Sequence, residues 1–123
     1  MSKTFSIQWL SQPETHDYTA AATYLNLLYP PSTTAKYVAR LRSARIITFK
    51  AKDIFRASGL PLLDVSNSHV EKDLRKIRTG QKLSPLLLVR DRQHGKVIVA
   101  DGYHRLCAVY SCDEDALIPC KIV

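Results

Sequence analysis

The chain has 123 residues, 46% hydrophobic and 24% charged, with a formal net charge of +7. These proportions predict one globular domain with an ordered core and exclude a disordered chain. No apolar run is long enough to span a bilayer, and residues 1–6 hold no apolar targeting region, so a cytoplasmic protein without a membrane partner is expected.

In chain order, residues 6–13 read as extended, with Ile7 and Trp9 on one side. Residues 15–28 predict a helix: Tyr18, Ala21, Ala22, Leu25 and Leu28 recur at helical spacing, and Pro30-Pro31 stops it. Ser32, Thr33 or Thr34 is expected to cap a second helix through Ser43, with a weaker stripe of Ala35, Val38, Ala39 and Leu41 or Arg42. Residues 46–49 are β-branched and aromatic, hence a strand. Residues 51–58 form a short helix with Ile54 and Phe55 inward, closed by Gly59. An apolar connection over residues 60–63 leads to Asn67 or Ser68, either of which can cap the next helix. Its stripe is Val70, Leu74 and Ile77, and Gly80 ends it. Residues 86–89 and 96–100 are strands joined by a hairpin loop at residues 91–95. Residues 103–110 form the last helix, 113–115 an acidic loop and 118–123 a final strand. The whole describes an α+β domain, a small mixed β-sheet with helices packed against it.

Three cysteines without a CxxC pair read as reduced thiols. Cys107 is expected to face the core from the last helix and Cys120 to sit in a strand. The positive charge is concentrated in residues 32–60, where Lys36, Arg40, Arg42, Arg45, Lys50, Lys52 and Arg56 stand against Asp53 alone. Such a segment concentrates anions around it, or is a solvated helix face.

The residues best suited to chemistry are Asp101-Gly102-Tyr103-His104-Arg105, where a strand runs through a glycine turn into a helix. The first amides of a helix lack internal partners and sit at the positive end of its dipole, so phosphate is the natural guest. Gly102 lets a ligand approach the backbone, or simply lets strand become helix. Arg105 offers a planar fork for phosphate oxygens, or a salt bridge to the acidic loop. His104 serves as phosphate donor, acid–base group or structural hydrogen-bonder. Asp101 is either the helix N-cap or a ligand for Mg²⁺ carried by a nucleotide. Tyr103 is a nucleophile, a stacking surface or a rim residue. His16 and His94 read as surface residues. Sequences for a Walker loop, G-x-S-x-G or H-E-x-x-H are missing.

Gly80, the run Leu83-Ser84-Pro85-Leu86-Leu87-Leu88-Val89, the hairpin and Asp101-Gly102-Tyr103-His104-Arg105-Leu106 resemble the ParB/sulfiredoxin superfamily over residues 46–123. Residues 1–45 then form a helical extension of two extra N-terminal helices, an added layer on one domain covering 1–123. The resemblance implies a G-x-x-R turn that receives nucleotide phosphates, with Gly102 and Arg105 at its Gly and Arg. Tyr103, His104 and Lys52, from the neighbouring strand end, complete the implied site, with Lys82 and Ser84 on its border. Sulfiredoxins place a catalytic cysteine immediately before His-Arg; Tyr103 stands there, which argues against sulfinate reduction. Partition proteins continue with Glu-Arg-Arg and a downstream helix-turn-helix. This chain has Tyr-His-Arg, and the helix-turn-helix is expected to be missing because the sequence runs only to Val123.

The leading expectation is a nucleotide-binding domain that hydrolyses an NTP or transfers its phosphoryl group, with His104 or Asp101 as acid–base group and Mg²⁺ accompanying the nucleotide. The alternative is a nucleic-acid-binding or nuclease-like module working through Lys36, Arg40, Arg42 and Arg45. A third class is a small non-enzymatic interaction protein. The sequence leaves the oligomeric state open, a homodimer included.

Overall fold

The computed structural model describes residues 6–123; the expectation for the N-terminal residues 1–5 lies outside them. Nine elements follow in the order α1 (Thr15–Leu25), α2 (Pro31–Ser43), β1 (Ile47–Lys50), α3 (Ala51–Ser58), α4 (Ser68–Arg78), β2 (Leu86–Asp91), β3 (Lys96–Asp101), α5 (Tyr103–Cys112) and β4 (Leu117–Ile122). This is the expected α+β order, with each helix and strand within a few residues of its sequence-based bounds.

The strands form one open mixed sheet in the order β1-β4-β2-β3. β1 pairs with β4 and β2 with β3 antiparallel, while β2 and β4 run parallel. All four leading residues of β2 are buried, because helices cover both faces of the sheet. On one face Leu87, Val89, Ile98 and Ala100 meet Tyr18, Ala21 and Leu25 of α1 and Leu41 of α2. On the other, Leu86, Leu88, Val99, Ile118 and Cys120 meet the inner residues of α3, α4 and α5. The two N-terminal helices therefore supply one of the two apolar layers. Ahead of α1, the backbone of Gln8 and Leu10 pairs with Leu83, fixing Trp9 against the second layer.

Three local choices explain the boundaries. α2 begins at Pro31 behind an extended Pro30, not behind Ser32, Thr33 or Thr34. Proline at the first helical position loses no hydrogen bond and already has helical φ. Gly59 closes α3 at φ +67°, and the Asn67 side chain accepts from the amides of His69 and Val70 to start α4. A register shift between Leu87 and Leu88 bulges the end of β3 just before the turn into α5. Bulges re-aim the chain that follows them.

Leu41 is fully buried between α2 and the sheet. Leu41→Ala is expected to lower the unfolding free energy by about 2–5 kcal/mol in a single cooperative transition, read by urea denaturation. A separate early transition of the α1–α2 region would show that these helices do not share the core.

Candidate functional site

β3 ends at Asp101, Gly102 turns the chain at φ +111°, and α5 starts at Tyr103. A Cβ on Gly102 would lie 2.7 Å from Leu86 Cγ and 2.9 Å from Arg105 Nη2. Both the backbone angle and the close packing therefore demand glycine. The first α5 bond runs from the Leu106 amide to the Gly102 carbonyl at 2.9 Å. The amides of Tyr103, His104 and Arg105 precede it and have no helix partner.

Arg105 does not point its fork into open space. Its Nε donates to the Ser84 carbonyl at 2.9 Å, and Nη2 donates to the Pro85 carbonyl at 3.3 Å and to Asp101 Oδ2 at 2.8 Å. The Arg105 and Asp101 side chains are only 16% and 14% exposed. The acidic loop is not its partner. Asp101 is correspondingly not the helix cap: Gly102 holds the N-cap position, and the largely buried carboxylate faces Arg105. Burial pushes the Asp101 pKa up, and Arg105 opposes that rise. Tyr103 donates its hydroxyl to the Pro61 carbonyl, pinning the apolar connection before α4.

The other wall of the site comes from α4. His69, Lys72, Asp73 and Lys76 line, with residues 101–105, a pocket of about 210 Å³. The His69 and His104 ring centroids lie 4.8 Å apart, and Tyr103 and His104 5.6 Å apart. Burial and the neighbouring His69 hold the His104 pKa below its ordinary value, with Asp73 pulling the other way. Burial raises the Asp73 pKa, although Lys76, Arg105, His104 and Lys72 all oppose it. Lys76 reaches Asp73 at 4.0 Å, whereas Lys72 makes no ion pair among the described residues.

The structure thus brings Asp101, Gly102, Tyr103, His104 and Arg105 together, with the Ser84 carbonyl at their border, and leaves Lys52 and Lys82 elsewhere. Lys52 pairs with Asp115 at 2.8 Å near the opposite edge of the sheet, where β1 is the edge strand. Ser84 is buried, with its hydroxyl donated to Glu14, and contributes its carbonyl to Arg105. Lys82 is exposed and does not line the pocket. Of the basic segment, Arg42 stacks on Tyr18 at 4.6 Å and its carbonyl accepts from Lys121, so it clamps α2 to the sheet. Lys36, Arg40 and Arg45 are exposed. Cys107 and Cys120 are buried as expected, and desolvation pushes the Cys120 thiol up to about 12.

The α4 wall was the part sequence reasoning missed. Its signal was present: positions 69, 72, 73 and 76 follow helical spacing beside the apolar stripe, so they share one face.

No family model, curated protein or solved structure matches this chain. Among the described residues there is no group of three or more His, Cys, Asp or Glu side chains able to hold a metal ion, and no helix is long and apolar enough to cross a membrane.

Asp73 gives a signed test. Its folded pKa lies above its ordinary value of 3.8, so the native state holds a proton that the unfolded chain has released, and stability falls as pH rises through that window. Asp73→Asn removes the loss. The variant is expected to match the parent near pH 3 and to exceed it in unfolding free energy by about pH 6, read by denaturant titration. A variant less stable than the parent at the higher pH would contradict the assignment.

Proposed function

We propose that the chain is a nucleotide-binding domain that seats phosphate groups between the first turn of α5 and the facing side of α4. The observation that carries this reading is the pocket itself. The unpartnered amides at the start of α5, the paired rings of His69 and His104 and the free ammonium of Lys72 share one small concavity. Helix amides, imidazoles and a lysine are complementary to a phosphate's oxygens. The likeness of the Asp101–Arg105 turn to the ParB/sulfiredoxin superfamily supports the same guest, although the roles within the turn differ from those the likeness implies. Arg105 and Asp101 build the turn; the α5 amides, His104 and Lys72 receive the anion.

Hydrolysis or transfer of the terminal phosphoryl group is the reaction class that fits such a site, since it demands positioning and charge neutralisation more than covalent chemistry. His104, whose pKa burial and His69 hold below the ordinary value, is the pocket's candidate to take a proton from the attacking group. Mg²⁺ commonly accompanies nucleotide phosphates through one or two carboxylates. Asp73 and Asp101 are the carboxylates lining the pocket, and Asp101 is already engaged by Arg105, so Asp73 is the better placed of the two.

Isothermal titration with ATP, CTP, GTP and pyrophosphate tests this directly. Saturable binding is expected, weakened about tenfold or more by His104→Ala and by Lys72→Ala. A bound phosphate favours the charged imidazole, so affinity rises as pH falls from about 8 to 6. Arg105→Ala is expected to unfold the turn, by leaving Asp101 buried without its partner. Absence of binding by all four ligands, or unaltered binding by both pocket variants, would overturn the proposal.

A further inference from the structure

At the opposite end of β2 and β3, about 17 Å from the Gly102 turn at the usual strand rise, lies a second concave surface. A cavity of about 470 Å³ and another of about 250 Å³ share Tyr29, Asp91 and Gln93 as lining residues, so they form one continuous groove. Tyr24, 41% exposed, lines the first. Tyr37, Arg40, Arg90 and Arg92 line the second. The Tyr29 and Tyr37 rings pack at 5.2 Å, and the Arg40 guanidinium lies 6.0 Å over the Tyr37 ring.

The side chains of this groove carry an excess of positive charge, with Arg40, Arg90, Arg92 and Lys96 against Asp91. Arg56, Arg75, Arg78 and Arg105 each pair with a carboxylate. Arg40, Arg90 and Arg92 are exposed, and none makes an ion pair among the described residues. Asp91 is the one side-chain carboxylate among the groove's lining residues. It is held by the His94 ring at 2.8 Å and also accepts from the His94 amide. Asp91 and Gln93 leave hydrogen-bonding groups beside the aromatic rings.

We infer that this groove binds a short single strand of nucleic acid. Arginines spaced along a groove track a phosphodiester backbone, and exposed tyrosine faces stack unpaired bases without regard to sequence. A polyanion without rings, such as polyglutamate, would use the arginines but not the tyrosines. A duplex keeps its bases stacked inside, and the groove offers no helix to enter its grooves. The contact differs from the one expected of the basic segment: Arg40 belongs to it, Arg42 is spent on Tyr18, and Arg90 and Arg92 come from the β2–β3 hairpin. It is also independent of the phosphate pocket at α5, with which it shares no residue.

Fluorescence anisotropy of the full chain with labelled oligo-dT and oligo-rU of about twelve nucleotides tests the inference. Binding should weaken at least about tenfold in Arg40→Ala/Arg92→Ala, and the slope of log affinity against log salt should shrink by about 1.4, the share of two phosphate contacts on a single strand. Lys36→Ala/Arg45→Ala removes the same charge away from the groove and should change affinity less than about twofold. Tyr24→Ser should weaken oligonucleotide binding and leave heparin binding unchanged. His104→Ala should leave it intact, which separates this site from the phosphate pocket. No oligonucleotide binding, equal losses in the two double variants, stronger binding to a duplex of the same length, or equal displacement by polyglutamate at matched charge would each overturn it.

Discussion

The guanidinium of Arg105 ties three pieces of backbone to one point. It donates to the carbonyls of Ser84 and Pro85 ahead of β2, and to the carboxylate at the end of β3, from the first turn of α5. Everything near the candidate site follows from that knot. Gly102 must be glycine because its missing side chain makes room for Leu86 and for Arg105 itself. Ser84, Pro85 and Asp101 cannot move independently of α5. The knot is more than four-fifths shielded from solvent at its ionised ends, so removing either charge strands the other in a poorly hydrated place.

This arrangement redistributes the roles within Asp101-Gly102-Tyr103-His104-Arg105. The residues that look most like phosphate ligands in the sequence, the glycine and the arginine, are committed to building the turn. The groups left facing the pocket are backbone amides and His104, and the remaining donors arrive from α4. Two acids, Asp73 and Asp101, line the pocket with pKa values raised by burial; Asp101 belongs to the structural knot, and Asp73 stands on the α4 wall. The free amides of α5, the paired His69 and His104 rings and the unpaired Lys72 in one concavity form the pattern on which the phosphate reading rests.

Much of the fold was legible in the chain because its local preferences agree with its tertiary layers. The stripes Tyr18-Ala21-Leu25 and Val70-Leu74-Ile77 face opposite sides of the sheet, and the continuous apolar run of residues 86–89 is the strand covered on both faces. The site was half legible. The turn was evident from Gly102 and the polar residues after it, but the destination of each side chain was not. Asp101 caps many helices in sequence logic, yet here a glycine in left-handed geometry takes the cap and the carboxylate finds Arg105 four residues on. Lys52 was assigned by analogy with a neighbouring strand end, and the strand order places two strands between β1 and β3. Long-range pairing of α4 with α5 is a property of packing, and a polar stripe beside an apolar one does not say which helix it will face. The net charge was likewise a poor guide to place: Lys50 and Lys52 answer Asp115, and Arg42 and Lys121 share the Tyr18 ring.

The central claim is that phosphates lodge on the first amides of α5 against α4. Amide chemical-shift mapping of uniformly ¹⁵N-labelled protein titrated with ATP addresses it residue by residue. The account predicts saturable shifts that are largest at Tyr103, His104 and Arg105, with His69 and Lys72 following at the same ligand concentration. Absence of saturable shifts, or shifts concentrated away from both helix starts, would contradict it.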